Sequence, residues 1–170
     1  MTESYTLVLA KEDFKFSSAH FTLFSAETAE HLHGHNYQVQ VEIVGRELDE
    51  EGLLVGFAEV KGAIRALCQA FDSRTLVPTR SPHLEIERRE GNVAVRFRSR
   101  SYSFPEEDVV LLPTVNTSIE LLARHLWREL ARALPASGTV EGLGVNVRET
   151  AGQGCWYRAP LTQTSGTPEG

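Results

Sequence analysis

An alternating run of residues from 33 to 43 limits the possible folds of this chain more than any other feature. It opens with two histidines, and apolar residues follow at the same parity: His33, His35, then Tyr37, Val39, Val41 and Ile43. Side chains at i and i+2 of a β-strand project from one face. The pattern therefore predicts a long strand whose apolar face continues into a pair of imidazoles.

The same two histidines are candidate metal ligands. Because His33 and His35 share a face, both imidazoles can reach one ion, and His20 lies thirteen residues before His33. A third histidine from a neighbouring strand would give three nitrogen ligands and leave a fourth position open, as in catalytic zinc sites. The alternative interpretation is an ordinary strand histidine followed by a His-Gly-His turn, and the spacing alone leaves both open.

Length and composition narrow the class of protein. The 170 residues fit one domain, predicted over 1–161, followed by a polar tail, 162–170, that is predicted to be disordered. A net charge of -6 argues against a nucleic-acid partner, and no apolar run is long enough to predict a membrane span. The two cysteines, Cys68 and Cys155, make no disulfide framework, so a reducing cytoplasm is the expected location.

Two segments repeat apolar residues at the helical period, Phe57–Phe71 and 118–134. Thr117 and Glu120 form a capping-box signature at the start of the second helix. Strand candidates lie on either side of these helices: 5–19, 33–43, 140–149 and 155–158. This order predicts an α+β fold in which two helices cover one face of an antiparallel sheet.

The segment 79–113, between the two helices, is predicted to be an insert. Apolar and charged residues alternate in 84–88 and in 93–97, on either side of Glu90-Gly91-Asn92, a pattern typical of a β-hairpin. Five arginines lie in or beside it: Arg88, Arg89, Arg96, Arg98 and Arg100. A solvated hairpin face is the simpler interpretation, and a site for an anion or a partner is the alternative.

With these residues assembled, the chain resembles the 6-pyruvoyltetrahydropterin synthase / 6-carboxytetrahydropterin synthase family over most of its length outside the insert and the tail. Four blocks carry the resemblance in order, and a weaker fifth lies at 116–123: Phe16-Ser17-Ser18-Ala19-His20, Leu32-His33-Gly34-His35-Asn36-Tyr37, the stretch 52–61, and 147–150 with 155–158. Each block is a modest signal, but four in order are specific.

The resemblance implies a T-fold, an antiparallel four-stranded sheet with two helices on one face, extended here by the inserted hairpin. It implies a homo-oligomer, either a hexamer or another T-fold barrel, whose subunits associate through their strands. It also implies Zn²⁺ held by His20, His33 and His35.

For function, the resemblance implies an enzyme that removes or rearranges the C6 side chain of 7,8-dihydroneopterin triphosphate or a related dihydropterin. Such lyases serve queuosine, tetrahydrobiopterin or folate biosynthesis. Glu149 would take the guanidine-like edge of the pterin ring, since a carboxylate can accept two hydrogen bonds from adjacent N–H donors. The fifth block adds Ser118 and Glu120 as substrate-binding candidates.

The chain departs from the family pattern at the acid–base residues. Ala29 stands where the family usually has a catalytic cysteine, and Asp72-Ser73 stands where the family has an Asp-His pair. Alanine and serine do not ionise near neutral pH, and residues of such a proton-transfer unit act together. The metal ligands are therefore all present, whereas the usual base and its partner are missing.

Four residues are candidates for a replacement: Glu27, Glu30, His31 and the retained Asp72. The two glutamates flank Ala29, and some family members use a glutamate near the cysteine position to cleave the side chain. His31 would share the ligand face if the strand began two residues earlier. The alternative function is a non-catalytic pterin- or purine-binding protein in which zinc is structural or orients the ligand.

Overall fold

Ten β-strands and two α-helices make up residues 3–134 and 138–161, the part of the chain described by a computed structural model. The elements are β1 (Tyr5–Leu9), β2 (Lys15–His20), β3 (His33–Gly45), α1 (Phe57–Phe71), β4 (Arg74–Pro78), β5 (Glu85–Arg89), β6 (Asn92–Phe97), β7 (Arg100–Pro105), β8 (Val109–Leu112), α2 (Ile119–Ala133), β9 (Gly142–Thr150) and β10 (Gln153–Pro160). The tail predicted to be disordered, 162–170, lies outside the described residues. Within them, neither α-helix is long and apolar enough to cross a membrane.

The long strand β3 organises the main sheet. Val41 pairs with Val145 of β9 on one edge and with Leu9 of β1 on the other, and β2 continues the β1 edge toward His20. The full order is β10-β9-β3-β2-β4-β8, with β1 also beside β3. The predicted α+β class is confirmed. The predicted four-stranded, fully antiparallel sheet is wrong, because the sheet has seven strands and the β2–β4 and β4–β8 pairings are parallel.

Three strands are added to the predicted four: the predicted strand at 5–19 is two strands, β1 and β2, and the main sheet also contains β4 and β8. The segments β4 and β8 have five and four residues, and β8 lies within the predicted 79–113 insert. Short apolar runs carry little periodicity, so the sequence pattern did not separate them from loop. Helix α1 lies between β2 and β4 in the chain, which is the kind of crossover that parallel pairing requires.

One face of the sheet packs against both helices. The apolar side chains of β3 at this face are buried and contact buried positions of α1 and α2: Tyr37, Val39, Val41 and Ile43 with Val60, Ile64, Cys68, Leu122, Leu126 and Leu130. The indole Nε1 of Trp127 on α2 donates to the carbonyl of Leu143 on β9 at 2.8 Å, which fixes α2 on the sheet. The predicted helices and the predicted buried face of β3 are confirmed.

The insert is a three-stranded antiparallel meander, β5-β6-β7, so the predicted two-stranded hairpin is wrong by one strand. The third strand was missed because its only apolar side chains, Tyr102 and Phe104, are separated by serines. Both pack against a second apolar core that the insert shares with the loop between β2 and β3. The buried residues of this second core are Phe21, Leu23, Val77, Val93, Val95, Phe97 and Val109.

Three of the five insert arginines form ion pairs with neighbouring carboxylates: Arg88 with Glu106, Arg89 with Glu87, and Arg96 with Glu85. All three pairs are solvent-exposed. Their positive charge is therefore locally balanced, which favours the solvated-face interpretation over an anion site at these positions.

Candidate functional site

Three histidines converge where β2 ends and β3 begins. His20 and His33 are opposite each other in the antiparallel register, and His35 is opposite Ser18. Since His20, His33 and His35 all project from the sheet face that forms the core, their rings meet, and one nitrogen from each lies within 4.8 Å of the others. The three side chains could hold a metal ion, which is one of the two interpretations that the histidine spacing left open.

Backbone carbonyls orient two of these rings. The Nδ1–H of His20 donates to the carbonyl of Thr117 at 3.2 Å, and the Nδ1–H of His33 donates to the carbonyl of His31 at 2.8 Å. With Nδ1 carrying the proton, Nε2 of each ring is left as a lone-pair donor. Such carbonyl contacts to the far ring nitrogen set the tautomer in histidines that bind metals.

The nitrogens that remain fit a cation. Nε2 of His20 is buried without a hydrogen-bond partner among the residues that the structure describes, and Nε2 of His33 lies 2.9 Å from Nε2 of His35. Burial, reinforced by the charge of His33, lowers the pKa of His20 to about 4, so this ring is neutral at neutral pH. Imidazole nitrogens gathered around one point are a donor set that divalent metals of the zinc type accept.

Glu149 lies beside this cluster, near the end of β9. Val145 and Val147 are buried on the core face, and Glu149 has the same parity, so its carboxylate projects on that face as well. Its Oε1 is 3.9 Å from Nε2 of His20, and its side chain is 12% exposed. A largely buried carboxylate with free acceptor atoms suits a ligand that brings N–H donors.

Glu149 and Asp72 also line one cleft of about 780 Å³, together with Lys15, Asn36 and Arg148. Asp72 itself is exposed, and its Oδ1 accepts from the backbone N–H of Ser17 at 2.7 Å. This bond ties the end of α1 to β2.

Glu30 is held in the loop between β2 and β3 by contacts with Thr22. The backbone N–H of Thr22 donates to Oε2 of Glu30 at 2.9 Å, and the N–H of Glu30 donates to the carbonyl of Thr22 at 2.9 Å. Partial burial pushes the pKa of the Glu30 carboxyl upward, but the Thr22 hydrogen bonds and the nearby His33 and His20 outweigh it and give a net lowering. The carboxylate is therefore ionised at neutral pH.

The other two base candidates take part in local contacts. Glu27 is exposed and accepts from the hydroxyl of Ser25 at 3.1 Å, within one turn of the loop. The His31 side chain is exposed, and the contribution of this residue to the histidine cluster is its backbone carbonyl, which holds His33. Glu30 is thus the candidate whose carboxylate is hydrogen-bonded next to the end of β2, at Thr22, two residues after His20.

At the start of α2, the structure assigns the main contacts to Thr117. Ser118 is the N-cap residue without a side-chain capping bond, and Glu120 is an exposed residue of the first turn. The predicted capping box is therefore wrong. The hydroxyl of Thr117 donates to the carbonyl of Phe21 at 2.9 Å, and its carbonyl accepts from His20, so Thr117 joins α2 to the end of β2.

Sequence reasoning missed three further residues at this site. Tyr37 was assigned to the core, yet its ring is 6.0 Å from that of His20, its hydroxyl is buried without a partner, and burial raises its pKa far above the usual value. Asn116 clamps the backbone of Leu23, accepting from its N–H at 3.0 Å and donating to its carbonyl at 2.8 Å. Arg100 contacts the Glu30 loop. The alternating pattern could have flagged Tyr37, because it shares the face of His33 and His35.

The fold and the histidine cluster define a T-fold protein with a candidate metal centre. A family model described as 6-pyruvoyl tetrahydropterin synthase matches residues 9–160, and the chain belongs to this family. The resemblance recognised from the sequence blocks is thereby confirmed, and so is the T-fold.

Relatives of known name include proteins of the 6-carboxy type. A Methanocaldococcus jannaschii protein provisionally named 6-carboxy-5,6,7,8-tetrahydropterin synthase is 32% identical over 149 residues, which are 86% of this chain and 91% of that protein. The 6-carboxy-5,6,7,8-tetrahydropterin synthase of Bacillus subtilis is 41% identical over 58 residues, 34% of this chain and 39% of the relative.

Solved structures of Plasmodium proteins share the fold closely. The 6-pyruvoyltetrahydropterin synthase of Plasmodium vivax is 26% identical, with a TM-score of 0.87 over 93% of this chain and 99% of its own. A variant of the same protein, in which a glutamate described as a catalytic residue is replaced by alanine, matches at 25% identity and a TM-score of 0.87 over 93% and 99% of the two chains.

Proposed function

We propose that this chain is a zinc-dependent enzyme of the tetrahydropterin synthase type that acts on the C6 side chain of 7,8-dihydroneopterin triphosphate or a related dihydropterin. The observation that carries the proposal is the buried, unpartnered Nε2 of His20, which lies in the histidine cluster and 3.9 Å from the Glu149 carboxylate. His20, His33 and His35 would hold the ion. When bound there, zinc would polarise hydroxyl oxygens of the substrate side chain.

Glu149 would bind the pterin ring. Its carboxylate can accept two hydrogen bonds from the amino group and ring N–H of the guanidine-like edge, as it would from an arginine fork. The nearly buried side chain makes those bonds stronger than they would be in water. Ser118 and Glu120, at the start of α2, would add polar contacts to the substrate.

Glu30 would supply the base. Its carboxylate is ionised and is held near the end of β2 by the backbone N–H of Thr22, two residues after His20. In the reaction we propose, Glu30 takes the proton of the hydroxyl on the second side-chain carbon, and the O–H electron pair forms a carbonyl. The bond between the first and second side-chain carbons then breaks, its electron pair is taken up by the C6–N5 double bond of the ring, and the proton returns to the first carbon.

This route splits the side chain into an aldehyde and a 6-hydroxymethyl dihydropterin, and it needs neither the family cysteine nor its Asp-His partner. Support comes from the P. vivax neighbour, in which a glutamate is described as a catalytic residue. The 6-carboxy and 6-pyruvoyl products remain the competing outcomes, because curated relatives carry the 6-carboxy name.

The experiment is a product assay on the purified protein with 7,8-dihydroneopterin triphosphate, read by mass spectrometry. We expect a 6-hydroxymethyl dihydropterin and a two-carbon aldehyde, loss of turnover after chelation, and recovery on adding zinc. A 6-carboxy or 6-pyruvoyl product would show that the family reaction persists with another base. Tight binding without turnover would instead favour a non-catalytic pterin-binding protein.

We also propose that the chain assembles through its sheet edges into a barrel-shaped homo-oligomer, a hexamer or another T-fold ring, and acts in the cytoplasm. Among the described residues, β10 pairs with β9 on one edge and has no strand partner on the other. Such an edge is a template for pairing with a second copy. Sedimentation velocity would detect the assembly, and a monomer at micromolar concentration would contradict it.

A further inference from the structure

Arg100 reaches from the insert to the loop that carries Glu30. Its guanidinium donates through Nη1 to the carbonyl of Glu30 at 2.5 Å and through Nη2 to the carbonyl of Ala29 at 3.1 Å. Two parallel N–H groups on consecutive carbonyls use the planar fork of arginine, which a lysine cannot reproduce. The guanidinium also lies 5.7 Å from the ring centroid of Phe97, which helps to fix its direction.

The partners of Arg100 differ from those of the other arginines in the insert. Arg88, Arg89 and Arg96 pair with carboxylates at the surface, where an ion pair contributes little to stability. Arg100 is half-buried and donates hydrogen bonds to two neutral backbone carbonyls. Its hydrogen bonds therefore restrain the backbone conformation of the loop that carries Glu30.

The loop conformation in turn determines where the Glu30 carboxylate lies. Leu23 and Ala29 form an isolated antiparallel bridge, and Thr22 bonds both the backbone N–H and the carboxylate of Glu30. Ala29 also packs against the apolar core that the insert shares with the loop. The N–H of Glu30 is thus bonded to Thr22 next to the end of β2, while the carbonyls of Ala29 and Glu30 are bonded to Arg100 of the insert.

We propose that Arg100 is a positioning residue that holds the Glu30 carboxylate beside the histidine cluster. In this proposal Glu30 acts in place of the family cysteine and its Asp-His partner, and the insert holds Glu30 in position. The positioning itself stands on the contacts above, and its catalytic consequence rests on the proposed function.

The positioning is tested without any substrate by amide hydrogen exchange, measured by NMR. The N–H of Thr22 donates to the carboxylate of Glu30, so its protection reports the position of that carboxylate directly. In Arg100→Ala, exchange at Thr22 and Glu30 should accelerate by at least about tenfold, while the amide of Val39 in the main core stays unchanged. The matched control is Arg89→Ala, an insert arginine paired with Glu87, which should leave all three amides unchanged.

Arg100→Lys keeps the charge in case Arg100→Ala folds poorly. Because a lysine can reach one carbonyl at a time, we expect exchange between that of the native protein and that of Arg100→Ala. Unchanged protection of Thr22 and Glu30 in both variants would overturn the positioning role. Equal acceleration at Val39 would overturn it too, since it would indicate general destabilisation.

The catalytic consequence is tested by kinetics. Arg100→Ala should lower kcat by at least about tenfold with KM changed less than about twofold and zinc content unchanged, because a displaced base slows chemistry and leaves substrate binding intact. In a Glu30→Gln background, Arg100→Ala should add no further loss. A full additional loss would show that Arg100 acts elsewhere. If Glu30→Gln itself has no effect, the proposed base is wrong, and the exchange experiment still decides the positioning.

Discussion

The metal-ligand strands and the loop that joins them are held in place by different interactions. His20, His33 and His35 belong to β2 and β3, where a continuous backbone ladder sets their positions. Glu30 lies in the loop between these strands and depends on Thr22, Arg100 and an apolar core shared with the insert. The candidate metal ligands are thus part of the sheet, whereas Glu30, the proposed base, is placed by contacts between distant segments.

Because of this difference, the loop that carries Glu30 can change in sequence while the histidine cluster on β2 and β3 stays assembled. A ladder tolerates loss of nearby side chains because its hydrogen bonds are between backbone groups. A loop held by a few side chains can be moved, lost or rebuilt without disturbing the ladder. Ala29 and Ser73 replace family catalytic residues while the histidine cluster remains assembled.

The largest expected effect comes from breaking the candidate metal site. Replacing His33 and His35 together with alanine should lower bound zinc from about one ion per chain to near zero, because two of three ligands are removed. Elemental analysis of the purified protein measures this. His31→Ala is the matched control, since its side chain is exposed and its backbone carbonyl remains. Retained zinc in the double variant would refute the ligand assignment.

The next largest effect comes from removing the base while leaving the metal ligands in place. Glu30→Gln keeps the side-chain shape but cannot accept the proton, so kcat should fall by about 10²- to 10⁴-fold with zinc content unchanged. Steady-state turnover of 7,8-dihydroneopterin triphosphate gives the comparison. Glu27→Gln, three residues earlier in the same loop, should retain turnover, and the reverse result would assign the base to Glu27.

A smaller effect is expected at the substrate-binding carboxylate. Glu149→Ala removes the acceptor for the pterin edge, and loss of a hydrogen bond to a charged group is worth about 1.5–3 kcal/mol, or roughly 10- to 150-fold in affinity. Fluorescence titration with a dihydropterin measures it. Glu149→Gln should weaken binding less, because its amide oxygen still accepts. Unchanged affinity in Glu149→Ala would remove the basis for a pterin site here.

The smallest effect separates a structural aspartate from a catalytic one. Asp72→Ala removes the acceptor for the Ser17 N–H and should lower the free energy of unfolding by about 1 kcal/mol, since the bond is exposed to solvent. Urea denaturation measures this change. If Asp72 only holds α1 against β2, kcat stays within about twofold. A loss of kcat comparable with that of Glu30→Gln would instead place Asp72 in proton transfer.

Much of the fold was predictable because its signals are local. Period-two alternation identified the buried face of β3, and the helical period identified both helices. The strands β4, β8 and β7 were missed. The first two are too short to show a period, and the apolar face of β7 consists of two aromatic residues that become a face only when packed against the second core.

The candidate site likewise has a part that was predictable from the sequence and a part that was not. The sequence alone placed His33 and His35 on one face, because side-chain direction along a strand follows from backbone geometry, and the family resemblance added His20 and favoured a shared ion. Only the tertiary structure showed that the Glu30 carboxylate is bonded to Thr22 near the end of β2, and that Arg100, 70 residues from Glu30 in the chain, holds the backbone of Glu30. Local periodicity carries no information about contacts between loops, since those depend on how separate cores pack. The candidate metal ligands could therefore be predicted from the chain, and the surroundings of the proposed base could not.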